Sequence, residues 1–232
     1  MPYASLREFV DRLEREGRLV RVSHPVAANL EMTEIQTRLL AEGGPAVLFE
    51  NVIADDGTPS PIPVLANLFG TVERVAWGMD REPDQLREIG ETLAFLRQPE
   101  PPGGLRDAWD KLPILRTVMS MRPKTVSSGP VHGVVWTGDD IDLGKLPIQP
   151  CWPGEPAPLI TWPLIVTQGP DPDGKREDAF NLGIYRMQVT GPKSTYMRWL
   201  KHRGGAQHHA RWKADRPEPF PAAAVTGADP GT

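Results

Sequence analysis

An α/β unit followed by a mainly β unit is the fold class this chain predicts, and three features predict it. Up to about residue 97, apolar residues recur at helical spacing between short β-branched runs; the tract 99–104, PEPPGG, then lacks helix formers; beyond Leu105 the apolar runs are short, β-rich and bounded by Gly, Pro and Asp. With 232 residues, 39% hydrophobic and 24% charged, the chain can bury a sizeable core and suits two structural units. The 26 Pro and 22 Gly impose many turns and exclude a helical bundle. We place the units at 1–104 and 105–232.

The first unit opens with Leu6, Phe9, Val10 and Leu13 on one helical face. Ser5 precedes them with Glu8 three positions on, a capping-box pattern, and Gly17 supplies the stop. A strand over 19–22 follows. Thr33 and Gln36 are expected to open a second helix that Gly43 and Gly44 close, after which 46–49 reads as a buried strand. Residues 62–68 read as another strand and 71–77 as a short helix. A longer helix over 83–97 sets Leu86, Ile89, Leu93 and Leu96 on one face. In the second unit, 131–137, 159–168, 180–190, 194–202 and 221–226 are the β-rich runs. The proline-dense stretch 147–158, PIQPCWPGEPAP, lacks ladder donors and suits a loop over a sheet edge or pocket rim.

A net charge of −4 argues against a dedicated nucleic-acid binder. Cys151 is the single cysteine, which excludes an intrachain disulfide and a cysteine-based zinc site and suits a reducing compartment. The N-terminal stretch is charged throughout, and no segment has the uninterrupted apolar length of a membrane span. A soluble, cytoplasmic protein is expected.

Chemistry concentrates in 181–205, NLGIYRMQVTGPKSTYMRWLKHRGG, which gathers Asn181, Arg186, Arg198, His202, Arg203, three aromatics and a glycine pair. Forked guanidinium donors, flat apolar walls and glycine amides are the parts of a site for an anionic, ring-bearing ligand. In an ideal strand, Asn181, Gly183 and Tyr185 share one face, and Leu182, Ile184 and Arg186 the other. For Asn181 and Arg186 to reach one ligand, the strand must start late or carry a bulge, and Gly183 is the natural place. Tyr196, Arg198, Leu200 and His202 share a face of the next strand, after which Gly204 and Gly205 can open a helix whose free amides favour phosphate or carboxylate. The alternatives are a two-faced surface strand with Arg186 ion-paired, and an edge strand carrying cations against aggregation. Single-stranded RNA binding through Tyr196, Arg198, Trp199 and Arg203 is a further alternative that the acidic charge disfavours.

Adjacent histidines diverge by about 100° on a helix, so His208 and His209 are expected to be solvated. His202 with the Asn181 amide oxygen is the better partial set, suited to a hard divalent ion. The carboxylates of Asp139, Asp140 and Asp142 are expected to sit in a turn.

NLGIYRMQVTGP, YMRWLKHRGG and FPAAAVTGADP, in this order, resemble the UbiD family of decarboxylases; SSGPVHG and ITWPLIVTQGP extend the likeness along the chain. The resemblance implies an α/β N-terminal domain followed by a mainly β split-barrel flavin-binding domain, incomplete at its C-terminus. The implied function is non-oxidative decarboxylation of an aromatic or α,β-unsaturated carboxylic acid, polyprenyl-4-hydroxybenzoate being one type, with prenylated FMN. A divalent metal, Mn²⁺ first, and K⁺ as an optional ion accompany it. Asn181 and His202 are similar to the family's metal ligands. Ile184, Tyr185 and Arg186, then Arg198, Trp199 and Leu200, then Arg203 and Gly204, are similar to its cofactor-contacting segments, and Arg186 also to its catalytic arginine. The family's third metal ligand, a Glu, and its acidic proton donor fall beyond Thr232. The resemblance therefore implies a truncated piece, inactive alone, in a homo-oligomer or with a polypeptide supplying the remainder; a non-catalytic flavin- or anion-binding module is the alternative.

Overall fold

The computed structural model describes residues 3–97, 126–170 and 180–232. Helix α1 (Leu6–Arg15) starts where the apolar spacing places it and ends at Gly17, whose φ of +66° suits a residue without a side chain. Ser5 is extended but makes no side-chain cap; Glu8 instead accepts from the Ala4 amide at 2.8 Å. Strand β1 (Leu19–Val22) then leads through β2 (Val26–Ala27) into α2 (Glu31–Ala41). This helix begins two residues before Thr33 because Glu31 turns back to accept from the Ala27 amide at 2.6 Å.

Strands β3 (Ala46–Phe49) and β4 (Val52–Ile53) follow, then β5 (Val64–Ala66), which is only the centre of the expected 62–68 run. β3 pairs parallel with β1 and antiparallel with β5, while β2 pairs parallel with β4. Period-2 alternation distributes the core on both faces of this sheet. Val47, Phe49 and Ala66 pack with Met32 of α2; Ala46 and Leu19 pack with Phe9 and Leu13 of α1. Thr71 caps α3 (Val72–Gly78) by accepting from the Arg74 amide. The expected 83–97 helix is a 3₁₀ turn, Pro83–Gln85, followed by α4 (Leu86–Arg97), whose Leu93 remains exposed. The 99–104 linker and the division at residue 104 lie outside the described residues.

The second half is antiparallel. β6 (Leu159–Ile160) and β7 (Leu164–Gln168) are separated around Pro163, β8 (Phe180–Ile184) and β9 (Met187–Gly191) around Tyr185, and β10 (Ser194–Met197) follows. Helix α5 (Gly204–Asp215) and β11 (Ala222–Val225) complete the described elements. The strands form two open sheets in the orders β10-β9-β6 and β11-β7-β8, with no closed barrel among the described residues. Residues 131–137 are not a strand: Pro130–His132 and Gly138–Asp140 form 3₁₀ turns on either side of exposed Val134 and Val135. Among the described residues, β propensity there meets no partner strand. The Asp139–Asp142 carboxylates do sit in turns, where Asp139 meets Lys193 and Asp142 accepts from the Gly144 amide.

Phe69 and Trp162 meet edge-on, with ring centroids 6.0 Å apart, and Pro230 lies against Gly78, so the two halves touch.

Candidate functional site

The chain changes sheet at Tyr185 and Arg186. β8 pairs with β7, while β9 pairs with β10 and β6. This corner, rather than a bulge at Gly183, breaks the alternation that would otherwise set Asn181 and Arg186 on opposite faces. Before the corner the alternation holds: Asn181 and Gly183 turn inward toward α5, whereas Phe180, Leu182 and Ile184 are about half exposed. Ile184 therefore stands on the sheet face opposite Asn181, opposite Leu164 of β7.

Two glycines let α5 approach β8. A side chain on Gly204 would place its Cβ 2.1 Å from Asn181 Oδ1, and one on Gly205 would meet the Tyr185 ring at 3.3 Å. Gly183 leaves room for the same ring from the strand side, at 2.8 Å. Tyr185 is thus buried between two glycines, and its hydroxyl accepts from the Gly205 amide at 3.1 Å. Its ring lies 5.9 Å from that of Trp199, which touches His209 and Phe220 edge-on.

Arg203 is the N-cap of α5 and makes no side-chain cap; the first turn holds no acidic residue. Tyr185 occupies the Gly205 amide, but among the described residues the Gly204 and Ala206 amides have no partner. Such a helix end carries partial positive charge and outward-facing donors. The Asn181 carboxamide lies against this end through Oδ1, and its Nδ2 is buried and unpaired. An orphaned donor of that kind costs about 1–3 kcal/mol unless a ligand oxygen satisfies it.

Arg186, Arg198 and Arg203 are exposed and form no ion pair among the described residues. The alternative of a surface ion pair at Arg186 finds no partner among the described residues. Arg198 and Leu200 lie past the end of β10, which is shorter than the 194–202 run, yet the in-out burial persists: Met197 and Trp199 are partly covered, while Tyr196, Arg198, Leu200 and His202 face outward. The structure therefore brings Asn181, Tyr185, Trp199 and Gly204 together, and sets His202 and Arg203 immediately before the helix.

His208 corrects the sequence reading. It is buried rather than solvated, with Nδ1 3.1 Å from Thr167 Oγ1 and its ring against Gly169. Burial, aided by Arg211, holds its pKa below the usual imidazole value. The available signal was its place four residues after Gly204, on the same helical face. His209 is exposed, as expected, although its ring packs on Trp199.

A cleft of about 960 Å³ lies elsewhere, between Ala28 and Pro59 on one side and Trp136 and Lys145 on the other, and none of the candidate residues lines it. The Lys145 ammonium there is engaged by the Asp140 carbonyl and the Trp136 ring. Among the described residues, the unpartnered backbone donors of the candidate region lie at the start of α5.

An α/β sheet layered between helices is joined to antiparallel sheets that carry a glycine-opened helix end beside aromatic rings. The sequence matches the 3-octaprenyl-4-hydroxybenzoate carboxy-lyase N-terminal domain over residues 10–93 and the Rift-related domain of the same enzymes over 124–232. The chain belongs to the UbiD family. Among solved structures, it resembles vanillic acid decarboxylase from Sedimentibacter hydroxybenzoicus in closed form, with a TM-score of 0.76 at 24% identity over 98% of this chain and 44% of that one. The UbiD-class enzyme HmfF from Pelotomaculum thermopropionicum is similar in two structures. The complex with prFMN has a TM-score of 0.66 at 25% identity, covering 98% of this chain and 45% of that one. The complex with FMN has a TM-score of 0.65 at 26% identity, covering 97% and 43%. The chain spans less than half the length of these proteins. Among the described residues no helix is long and apolar enough to cross a membrane.

Proposed function

We propose that this chain forms the flavin-phosphate-binding part of a prenylated-FMN-dependent decarboxylase acting on an aromatic or α,β-unsaturated carboxylic acid. The observation that carries this reading is the Asn181 carboxamide nested against Gly204 at the uncapped start of α5, with one buried donor unpaired. A phosphate oxygen suits that donor and the free helix amides together. In this reading residues 1–104 are an α/β domain, and 105–232 contribute strands to a split barrel.

The residues fit the phosphate better than the metal. No group of three or more His, Cys, Asp or Glu among the described residues could hold an ion, so Asn181 Oδ1 and His202 would supply two donors to Mn²⁺. Arg203 and Gly204 would hold the phosphate; Tyr185, Trp199 and Leu200 would wall the ring system, with Arg198 at its margin and Ile184, whose side chain faces away, contributing only through its backbone. Arg186, exposed and unpaired at the sheet corner, would hold the substrate carboxylate by charge-assisted hydrogen bonds. When bound, the prenylated flavin supplies the electron sink for loss of CO₂.

A second reading is a non-catalytic flavin-binding module that works with another polypeptide. It is favoured by the apolar β8 face, where Phe180, Leu182 and Ile184 are 50–53% exposed. Fluorescence titration of the full chain with FMN in the presence of Mn²⁺ tests both. Binding that Asn181→Ala weakens about tenfold is expected. Equal quenching by the wild type and Asn181→Ala removes the phosphate site; phosphate-dependent binding without decarboxylase activity, even with a companion chain, selects the module.

A further inference from the structure

His208 belongs to a closed circuit of contacts around the α5 start. Its Nδ1 meets Thr167 Oγ1 at 3.1 Å, with His208 8% and Thr167 1% exposed. Thr167 is the cross-strand partner of Asn181 in the β7–β8 register, so the two side chains leave the sheet on the same face, toward α5. Asn181 Oδ1 in turn lies against Gly204, one helical turn before His208. Strand pairing, a buried hydrogen bond, one turn of helix and a glycine contact thus join end to end. Gly169 makes the circuit possible: a Cβ there would stand 2.9 Å from the imidazole.

The bond between His208 and Thr167 ties the helix to β7, as the bond from Gly205 to Tyr185 ties it to the corner after β8. Two buried attachments, one on β7 and one at the corner after β8, fix both the height and the rotation of the first turn. The Gly204 and Ala206 amides then point where an oxyanion is to sit. Neither His208 nor Thr167 needs to touch that ligand.

We propose that His208, through Thr167, is a positioning residue that holds the α5 N-terminus against Asn181 in register for a phosphoryl ligand. The ligand rests on the flavin-phosphate reading above; the tie itself does not. A neutral imidazole serves with either hydrogen arrangement, since the threonine hydroxyl can donate to Nδ1 or accept from it. Asparagine keeps a polar atom at the δ position, whereas leucine fills the space without one.

The test compares the wild-type chain with His208→Leu, His208→Asn, Thr167→Val, Thr167→Ser and the His208→Leu/Thr167→Val pair. Hydrogen exchange of the bonded Gly205 and Gln207 amides is measured together with FMN affinity in the presence of Mn²⁺. His208→Leu and Thr167→Val are expected to speed exchange of these amides about tenfold, to weaken FMN binding by a similar factor, and to show no further loss when combined. His208→Asn and Thr167→Ser are expected to restore both. Equal losses in His208→Leu and His208→Asn would overturn the proposal in favour of simple packing, as would additive losses in the pair. If His208→Leu does not fold, Thr167→Val against Thr167→Ser decides alone. Should exchange follow the tie while wild type fails to bind FMN, the flavin reading and the ligand role of the tie both fall.

Discussion

Replacing Gly204 with alanine separates ligand positioning from stability, because the two effects run in opposite directions. The new Cβ would stand 2.1 Å from Asn181 Oδ1 and 2.8 Å from its Cγ. Normal contact demands that the carboxamide retreat by about 1 Å, a displacement sufficient to spoil a positioned contact. The intruded atom is the end of a side chain, so Asn181 can rotate away and the backbone need not move. On the stability side, Gly→Ala in a helix interior gains up to about 1 kcal/mol, and less at a first helical position. The expected balance is a midpoint of denaturation within about 1 kcal/mol of wild type together with at least about a tenfold loss of FMN affinity, equivalent to ~1.4 kcal/mol. Urea denaturation and FMN fluorescence titration on the same preparation read both. Wild-type affinity in Gly204→Ala would refute the reasoning, for it would mean that Asn181 can leave its place without consequence.

Three further outcomes are expected. Arg74 is 1% exposed and donates to the carbonyls of Leu68, Gly44 and Asn67 at 2.9–3.0 Å. Arg74→Met should therefore cost about 3 kcal/mol in urea denaturation with an unchanged slope, and a loss under about 1 kcal/mol would show that the carbonyls find other donors. Because burial lowers the His208 pKa, the unfolded chain takes up a proton before the folded one; His208 should favour stability fully above the ordinary imidazole pKa and progressively less as pH falls below it toward the folded value. Denaturation midpoints between pH 7.5 and 5 should lose that component of their slope in His208→Asn, and an unchanged slope would remove His208 as its source. Gly43 ends α2 at φ +64° with open space around it, so Gly43→Ala should cost about 1 kcal/mol through backbone strain alone, and Gly43→Asn less; equal melting temperatures for all three would refute this.

What could be read from the sequence was mostly what local chemistry decides. The α1 spacing, the β1 and β3 runs and the glycine start of α5 each depend on neighbours within a turn or a pleat, and each lies where expected. The likeness to UbiD decarboxylases rested on the same short-range motifs and is borne out by the two domain matches. Pairing was harder to read. The run 180–190 alternates without interruption, yet β8 joins β7 and β9 joins β10 and β6, a division made by partners distant in sequence. Residues 131–137 have strand composition and no strand to meet among the described residues. His208 looked solvated because the pair was read from its divergence alone; its place four residues after Gly204 was the local sign, and Thr167, forty-one residues away, supplies the partner.

Alternation along β8 couples the proposed ligand site to the opposite surface of the sheet. Asn181 and Gly183 face α5, and the residues interleaved with them, Phe180, Leu182 and Ile184, present an apolar row on the other side. A one-residue slip would exchange the two sets completely, placing an amide among apolar contacts and three large side chains under the helix. Whatever covers the apolar row therefore also defends the register that keeps Asn181 at Gly204, without approaching the site. Leu182 lies opposite Val166 at the centre of the row, so Leu182→Asp should weaken association with any covering chain while leaving the α5 start intact. If its only effect were loss of FMN affinity in the isolated chain, with exchange at Gly205 and Gln207 accelerated, the two faces would be linked by β8 itself rather than by a partner.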